Sequence, residues 1–236
     1  MPEEYVVLDL EMNGLSAKHD HIIEIGAIKV AKGLVVDEYA CIVNSHCHIP
    51  ERIVELTGIT EAMQAQGVEA EIAVPKLLDF IQGQVIVGQN ISFDYGFLKQ
   101  WAVNHKRPLE LVACDTLKIA RELLPVEQPK KLSDLCGYFG IERGRGHRAL
   151  DDTKETWKVY EALEKLAKET GDVERYLTPK PLRYQAKKQT PATAHQLQRL
   201  REYMEKHQIT DVIEWDNLTR SEASRITDKY ISKYGR

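Results

Sequence analysis

The chain has 236 residues, 43% of them hydrophobic, and a formal charge of −4, enough for one well-packed domain with a small appendage and too little for two large domains. No apolar run approaches the roughly 18 residues of a membrane span, and the opening MPEEYVV is acidic where a secretory leader is basic, so a cytoplasmic protein with no membrane partner is expected. Cys41, Cys47, Cys114 and Cys136 lack CxxC spacing and read as reduced thiols, with Cys47 and its neighbours His46 and His48 on a short exposed strand end rather than at a metal.

In chain order, YVVLDL is a short apolar run rich in β-formers and predicts a buried strand; HIIEIGAIKV and LVVDEYACIV predict two more, joined near Lys32-Gly33 as a meander. EAEIAVPKLLDFIQG has a helical period ending at a glycine, and VIVGQN is strand-like. FDYGFLKQWAVNH predicts a helix, LVACDTLKIARELL a strand passing into a helix, and KKLSDLCGYFG a short helix stopped by Gly140. HRALDDTKETWKVYEALEKLAKET predicts a long helix stopped by Gly171. Antiparallel strands followed by alternating helix and strand give an α/β domain over residues 1–170, with a mixed central sheet covered by helices. Residues 171–190 hold two prolines, with a third at 191, and no clear period, and read as a linker. In 191–236, Thr193/Gln196 and Thr219/Glu222 have capping-box spacing ahead of two amphipathic stretches, which predicts a small helical hairpin around Trp215.

The chemistry concentrates in acids. Asp9 and Glu11 are two apart at the end of the first strand, so their carboxyls project from one face. At ~4 Å and an effective dielectric near 20, two such charges repel by about 4 kcal/mol, a penalty that a divalent cation removes. Asp94 follows a strand and opens a helix, Asp151 and Asp152 fall in the first turns of another, and His147 precedes them at a loop–helix junction. Taken singly, Asp94, Asp151 and Asp152 are explained by the helix dipole, and Asp9 with Glu11 by an ordinary surface strand.

Taken together, Asp9-Leu-Glu11, Asn90-Ile-Ser-Phe-Asp94 and His147-Arg-Ala-Leu-Asp-Asp152, in this order, resemble the three motifs of the DEDDh family of 3′-to-5′ exonucleases. IIEIGAI, LTGIT and CDTLKIAREL fit the same pattern, and the resemblance spans roughly residues 5–168. It is similar to the proofreading exonuclease subunits of bacterial DNA polymerase III and, in part, to oligoribonuclease. The resemblance implies an RNase H-like fold and metal-dependent hydrolysis from the 3′ end of a single strand, with nucleoside monophosphates as products. By the same resemblance Asp9, Glu11, Asp94 and Asp152 would hold two Mg²⁺ or Mn²⁺ ions, and His147 would be the general base, a role suited to a side chain that titrates near neutrality. Family spacing favours Asp152 over Asp151. Asn90, Leu15 and Phe97 match positions that contact or orient the substrate, and Met12 and Asn13, standing where many relatives have two threonines, would touch the terminal nucleotide.

DNA is the favoured substrate; RNA trimming is the alternative, and a noncatalytic binding module is a weaker one. From Lys180 onward there are 12 Lys and Arg against 7 Asp and Glu, so a basic tail follows an acidic body. Arg199, Arg201, Arg220, Arg225 and Lys229 are candidate phosphate contacts, Trp215 is either a stacking surface or a core residue, and a DNA polymerase or other protein is the partner expected for this module.

Overall fold

The computed structural model describes residues 3–144, 146–211, 213, 215 and 218–235. Strands β1 (Glu4–Met12), β2 (Ile22–Ala31) and β3 (Leu34–Asn44) form the antiparallel meander, turned at Lys32 and Gly33, both of positive φ. Helices α1 (Glu51–Thr57) and α2 (Glu61–Gln64) lead to β4 (Val68–Glu69), which lies parallel to the end of β3, and then to α3 (Ala70–Phe80). Strand β5 (Val85–Gly88) returns parallel to β1, helix α4 (Ser92–Asn104) follows, and β6 (Val112–Asp115) lies parallel to β5. Then come α5 (Thr116–Leu123), α6 (Leu132–Phe139), α7 (Ala149–Thr170), α8 (Val173–Leu177) and β7 (Lys180–Pro181), the last antiparallel to β6. The mixed sheet has the order β4-β3-β2-β1-β5-β6-β7, flanked by helices, an RNase H-like α/β fold.

Alternation along β1 builds two cores. Val6, Leu8, Leu10 and Met12 face the layer of α3 and α4, whereas Tyr5 and Val7 face α5, α6 and α7. The short α1 and α2 escaped the sequence reading because one or two turns carry too little period to separate from loop. Cys47, expected at an exposed strand end, is buried with Ile23, Ile49, Ile53 and Ile59, while His46 and His48 pair outward with Glu69 and Glu61, each at 2.7 Å.

Residues 171–190, expected as a linker, carry α8 and β7. Leu182 N–H donates to the Leu111 carbonyl at 2.9 Å and its side chain enters the core, so this stretch is fastened along the sheet edge. Beyond it, α9 (Ala194–Lys206) and α10 (Arg220–Tyr234) both begin with capping boxes and enclose a small cluster of Leu200, Met204, Leu218, Ala223 and Tyr230. Trp215 packs against that cluster, with the Arg201 guanidinium 4.6 Å from its ring centre. Among the described residues no helix is long and apolar enough to cross a membrane.

Candidate active site

The period of β1 decides where the first two acids go. Asp9 and Glu11 continue the face of Tyr5 and Val7, so they point toward the layer that holds α7 rather than toward α4. Asp9 lies opposite Gly26 on β2. A Cβ at Gly26 would come within 2.3 Å of the Ala149 backbone, so the missing side chain is what lets the first turn of α7 rest on the strand. Thr153 fixes the contact by donating to the Gly26 carbonyl at 3.0 Å.

That approach delivers Asp152. Its Oδ2 accepts the His147 N–H at 2.8 Å, and ligating atoms of Glu11, His147 and Asp152 all lie within 4.8 Å of one another. His147 is exposed and adopts a left-handed φ of 61°, which turns the chain sharply into α7. Asp151, one residue earlier, packs against Gly144 instead; a helix separates neighbours by about 100°. Asp94 arrives from the opposite layer, on the first turn of α4, where its Oδ1 accepts Leu10 N–H at 3.0 Å from the β1 backbone between the two acids.

The cluster resists ionisation as it stands. Burial, then Asp94, holds the Asp9 carboxyl well above the usual carboxylate range. Burial, followed by Asp152 and Glu24, pushes Glu11 up to about 8; Asp94 is pushed up to about 7, mainly by burial, and Asp152 is raised by burial and Glu155. Four carboxyls converging with one imidazole form a mostly oxygen donor set whose repulsion a hard divalent cation would relieve, so these residues fit Mg²⁺ or Mn²⁺.

Two carboxylate–guanidinium clasps hold the loop bearing His147. Glu24 accepts from Arg148 at 2.7 Å and from Ala149 N–H at 2.9 Å; Glu155 accepts from Arg143 Nε at 2.7 Å and from Gly144 N–H at 2.9 Å. Arg143 also approaches Asp152 at 3.4 Å. The sequence reading missed all four residues. The available signal was Glu24, an acid inside the apolar strand IIEIGAI, since a buried charge needs a partner.

The other expected residues separate. Leu15 is 78% exposed, on the loop after β1, and is free to meet a ligand. Phe97 lies one turn along α4 from Asp94 but is only 3% exposed, and Met12 is buried in the core. Asn13 spends its amide within the protein, donating to the His48 carbonyl at 2.9 Å and accepting His21 N–H at 2.6 Å. Asn90, of φ 59°, donates its N–H to Asp115 at 3.0 Å, which shapes the turn between β5 and α4.

Comparison with known proteins gives a consistent answer. Residues 6–160 match the exonuclease (RNase_T) family. The chain is 37% identical over 171 residues to DNA polymerase III PolC-type of Clostridium perfringens, and 37% identical over 174 residues to that of Bacillus subtilis. Each match covers 72% of this chain and 12% of the relative, so the chain spans about an eighth of those polymerases. Among solved structures, Escherichia coli exonuclease I in complex with a dT13 oligonucleotide aligns over 72% of this chain and 43% of its own, with a TM-score of 0.60 at 18% identity. Exonuclease X in complex with 5′ overhanging duplex DNA aligns over 71% of this chain and 93% of its own, with a TM-score of 0.53 at 22% identity. At these identities the two structures speak to the fold alone.

Proposed function

Since the chain belongs to the exonuclease family, we propose that it is a divalent-metal-dependent 3′-to-5′ exonuclease that releases nucleoside monophosphates from single-stranded nucleic acid, DNA in preference to RNA. The observation that carries this reading is the convergence of Glu11, His147 and Asp152 within 4.8 Å at the end of β1, beside Asp9 and Asp94. The preference for DNA is supported by relatives that are DNA polymerases.

In this reading Asp9, Glu11 and Asp152 would hold one Mg²⁺ or Mn²⁺, and Asp9 and Asp94 would help to hold a second. Two such ions, when bound, would stabilise the attacking and leaving oxygens of an in-line displacement. The remaining work belongs to the chain. His147, exposed at the mouth of the cluster, takes a proton from the attacking water, and its backbone is fixed by Asp152 and its loop by the two arginine clasps. Exposed Leu15 borders the space for the terminal nucleotide. Residues 1–170 form the catalytic unit and 191–236 a separate module that carries basic surface toward the strand. A DNA polymerase is the proposed protein partner, because the relatives hold this region within far longer polymerase chains.

The test is release of mononucleotides from end-labelled DNA and RNA strands of graded length, with Mg²⁺, Mn²⁺ or chelator. Metal-dependent shortening from the 3′ end, faster on DNA, is expected. Degradation of a strand with a blocked 3′ terminus, or undiminished cleavage in chelator, would overturn the reading.

A further inference from the structure

Tyr184 lies outside the stretch matched by the exonuclease family, which ends at residue 160, yet it shares a cavity with Leu15, from the loop after β1, and with Phe93 and Phe97, from the helix that carries Asp94. Its position is set from both sides. Upstream, Leu182 is buried and bonded to Leu111; downstream, Gln100 donates to the Lys187 carbonyl at 2.9 Å, and Gln189 N–H donates to Asn104 at 3.0 Å. Between these anchors the Tyr184 ring lies over Gly96 of α4, so close that a Cβ there would meet ring carbons at 3.3 Å. The half-buried ring closes one side of a cavity of about 330 Å³, with exposed Leu15 on another and Phe93 and Phe97 behind. That volume is within the ordinary range for small-ligand sites.

The cavity is lined from the loop that follows β1 and from α4, and β1 and α4 carry Asp9, Glu11 and Asp94. Phe97 is three residues from Asp94 on α4, and Leu15 is four residues past Glu11. Phe97 is too deeply buried to offer its face, so among these aromatic side chains Tyr184 and Phe93 retain exposed ring surface. Ser92 lines this cavity and also a neighbouring one of about 240 Å³, lined by Lys118, Lys180 and Arg183 together with Asp115, which pairs with Lys118 at 3.4 Å, and Glu122, which pairs with Arg175 at 3.7 Å. Residues 175–201 contain seven Lys and Arg and no acid, so the same segment offers cations on a body that is otherwise acidic. An aromatic platform followed by a basic groove is the arrangement that single-stranded nucleic acid requires, bases stacking while phosphates meet cations.

We propose that the docked segment 180–184 forms the second wall of the substrate path, with Tyr184 stacking on a base within the last few nucleotides of the strand and Lys180 and Arg183 holding phosphates beside it. This rests on the exonuclease reading and adds a substrate contact from outside the matched family region.

The test uses the full chain in chelator, where no hydrolysis follows binding, and a single-stranded DNA carrying 2-aminopurine in its last three nucleotides. Stacking on Tyr184 quenches the probe. Tyr184→Phe should keep the quench and bind within about twofold of the unaltered protein, whereas Tyr184→Leu should lose the quench and weaken binding by about 5- to 100-fold. Replacing Lys180 and Arg183 by Gln should lower the magnitude of the log affinity against log salt slope by roughly 1.4, from two single-strand phosphate contacts. A Leu variant that binds and quenches like the unaltered protein, or a Phe variant as weak as Leu, overturns the stacking assignment, and an unchanged slope overturns the phosphate contacts. Failure of the unaltered protein to shorten any strand with Mg²⁺ would instead overturn the exonuclease reading, so the two failures are distinguishable.

Discussion

Glu11 and Glu24 stand opposite one another across β1 and β2, yet their carboxylates meet different fates. Glu24 is taken up by Arg148 at 2.7 Å and by the Ala149 N–H that opens α7, whereas Glu11 is pushed up to about 8, by burial first and then by Asp152 and Glu24. One acid of the facing pair anchors the loop of His147, and the other has the proposed role of metal ligand.

Glu24→Gln is therefore expected to loosen the loop rather than remove a ligand. Arg148 is 31% exposed, so solvent screens part of the loss, and about 1–3 kcal/mol of stability should disappear in a urea titration. Turnover should fall while the melting-temperature rise produced by Mg²⁺ persists. Loss of that rise would place Glu24 among the ligands.

Gly26→Ala brings a methyl group against the Ala149 backbone, which cannot rotate away as a side chain does. Overpacking of this kind costs about 1–3 kcal/mol, and α7 must shift outward, carrying Asp152 from Glu11. Activity should fall far more than stability. A fully active Ala variant would show that the α7 contact does not set the site.

Asp9→Asn should abolish metal-dependent cleavage and raise the melting temperature in chelator, because it removes a buried carboxyl that folding forces to take up a proton among the other acids. The same electrostatics fix a pH dependence. Glu11 binds its proton more tightly in the folded chain than in the unfolded one, so its contribution to metal-free stability is fully present below the ordinary value of 4.5 and is lost as pH rises toward about 8. The metal-free melting temperature should fall across that window, and the rise given by Mg²⁺ should be larger at its upper end. A flat profile in chelator, or an equal rise at both ends, would contradict the account.

His147→Ala should lower kcat by roughly 10² to 10⁴ with little change in strand affinity, and the acidic limb of the rate profile should vanish. Because His147 also lies within ligand distance of Glu11 and Asp152, metal affinity is a useful second measurement. An unchanged acidic limb would assign the proton to another group.

Removal of residues 190–236 should leave turnover on a saturating short oligomer intact, since every acid of the site precedes it. If about three phosphates are contacted by the hairpin, the salt slope on long strands should fall in magnitude by about 2. Trp215 is packed in the hairpin cluster and covered by Arg201, so Trp215→Ala should disturb the hairpin's own stability. An unchanged slope after truncation would leave protein docking as the hairpin's role.

The sequence by itself determined the repeating features: the β1 alternation that sends Asp9 and Glu11 to one face, the helical period and glycine stop of α7, and both capping boxes of the hairpin. These are local, because backbone geometry imposes a period of two or 3.6 residues on whatever side chains it carries. The acids themselves were legible by residue type and order. Only the tertiary structure decided what surrounds them. The Glu24–Arg148 clasp joins residues 124 apart, the Gly26 contact depends on which helix crosses that strand, and Tyr184 reaches the cavity because a segment without period is pinned by backbone hydrogen bonds and one buried leucine. Such pairings leave no periodic trace in a sequence, since close packing between distant segments is selected by shape and charge at a single place. For the same reason the place of Asn13 in a motif gave no sign that its amide bonds the His48 carbonyl and the His21 N–H and so closes the loop after β1.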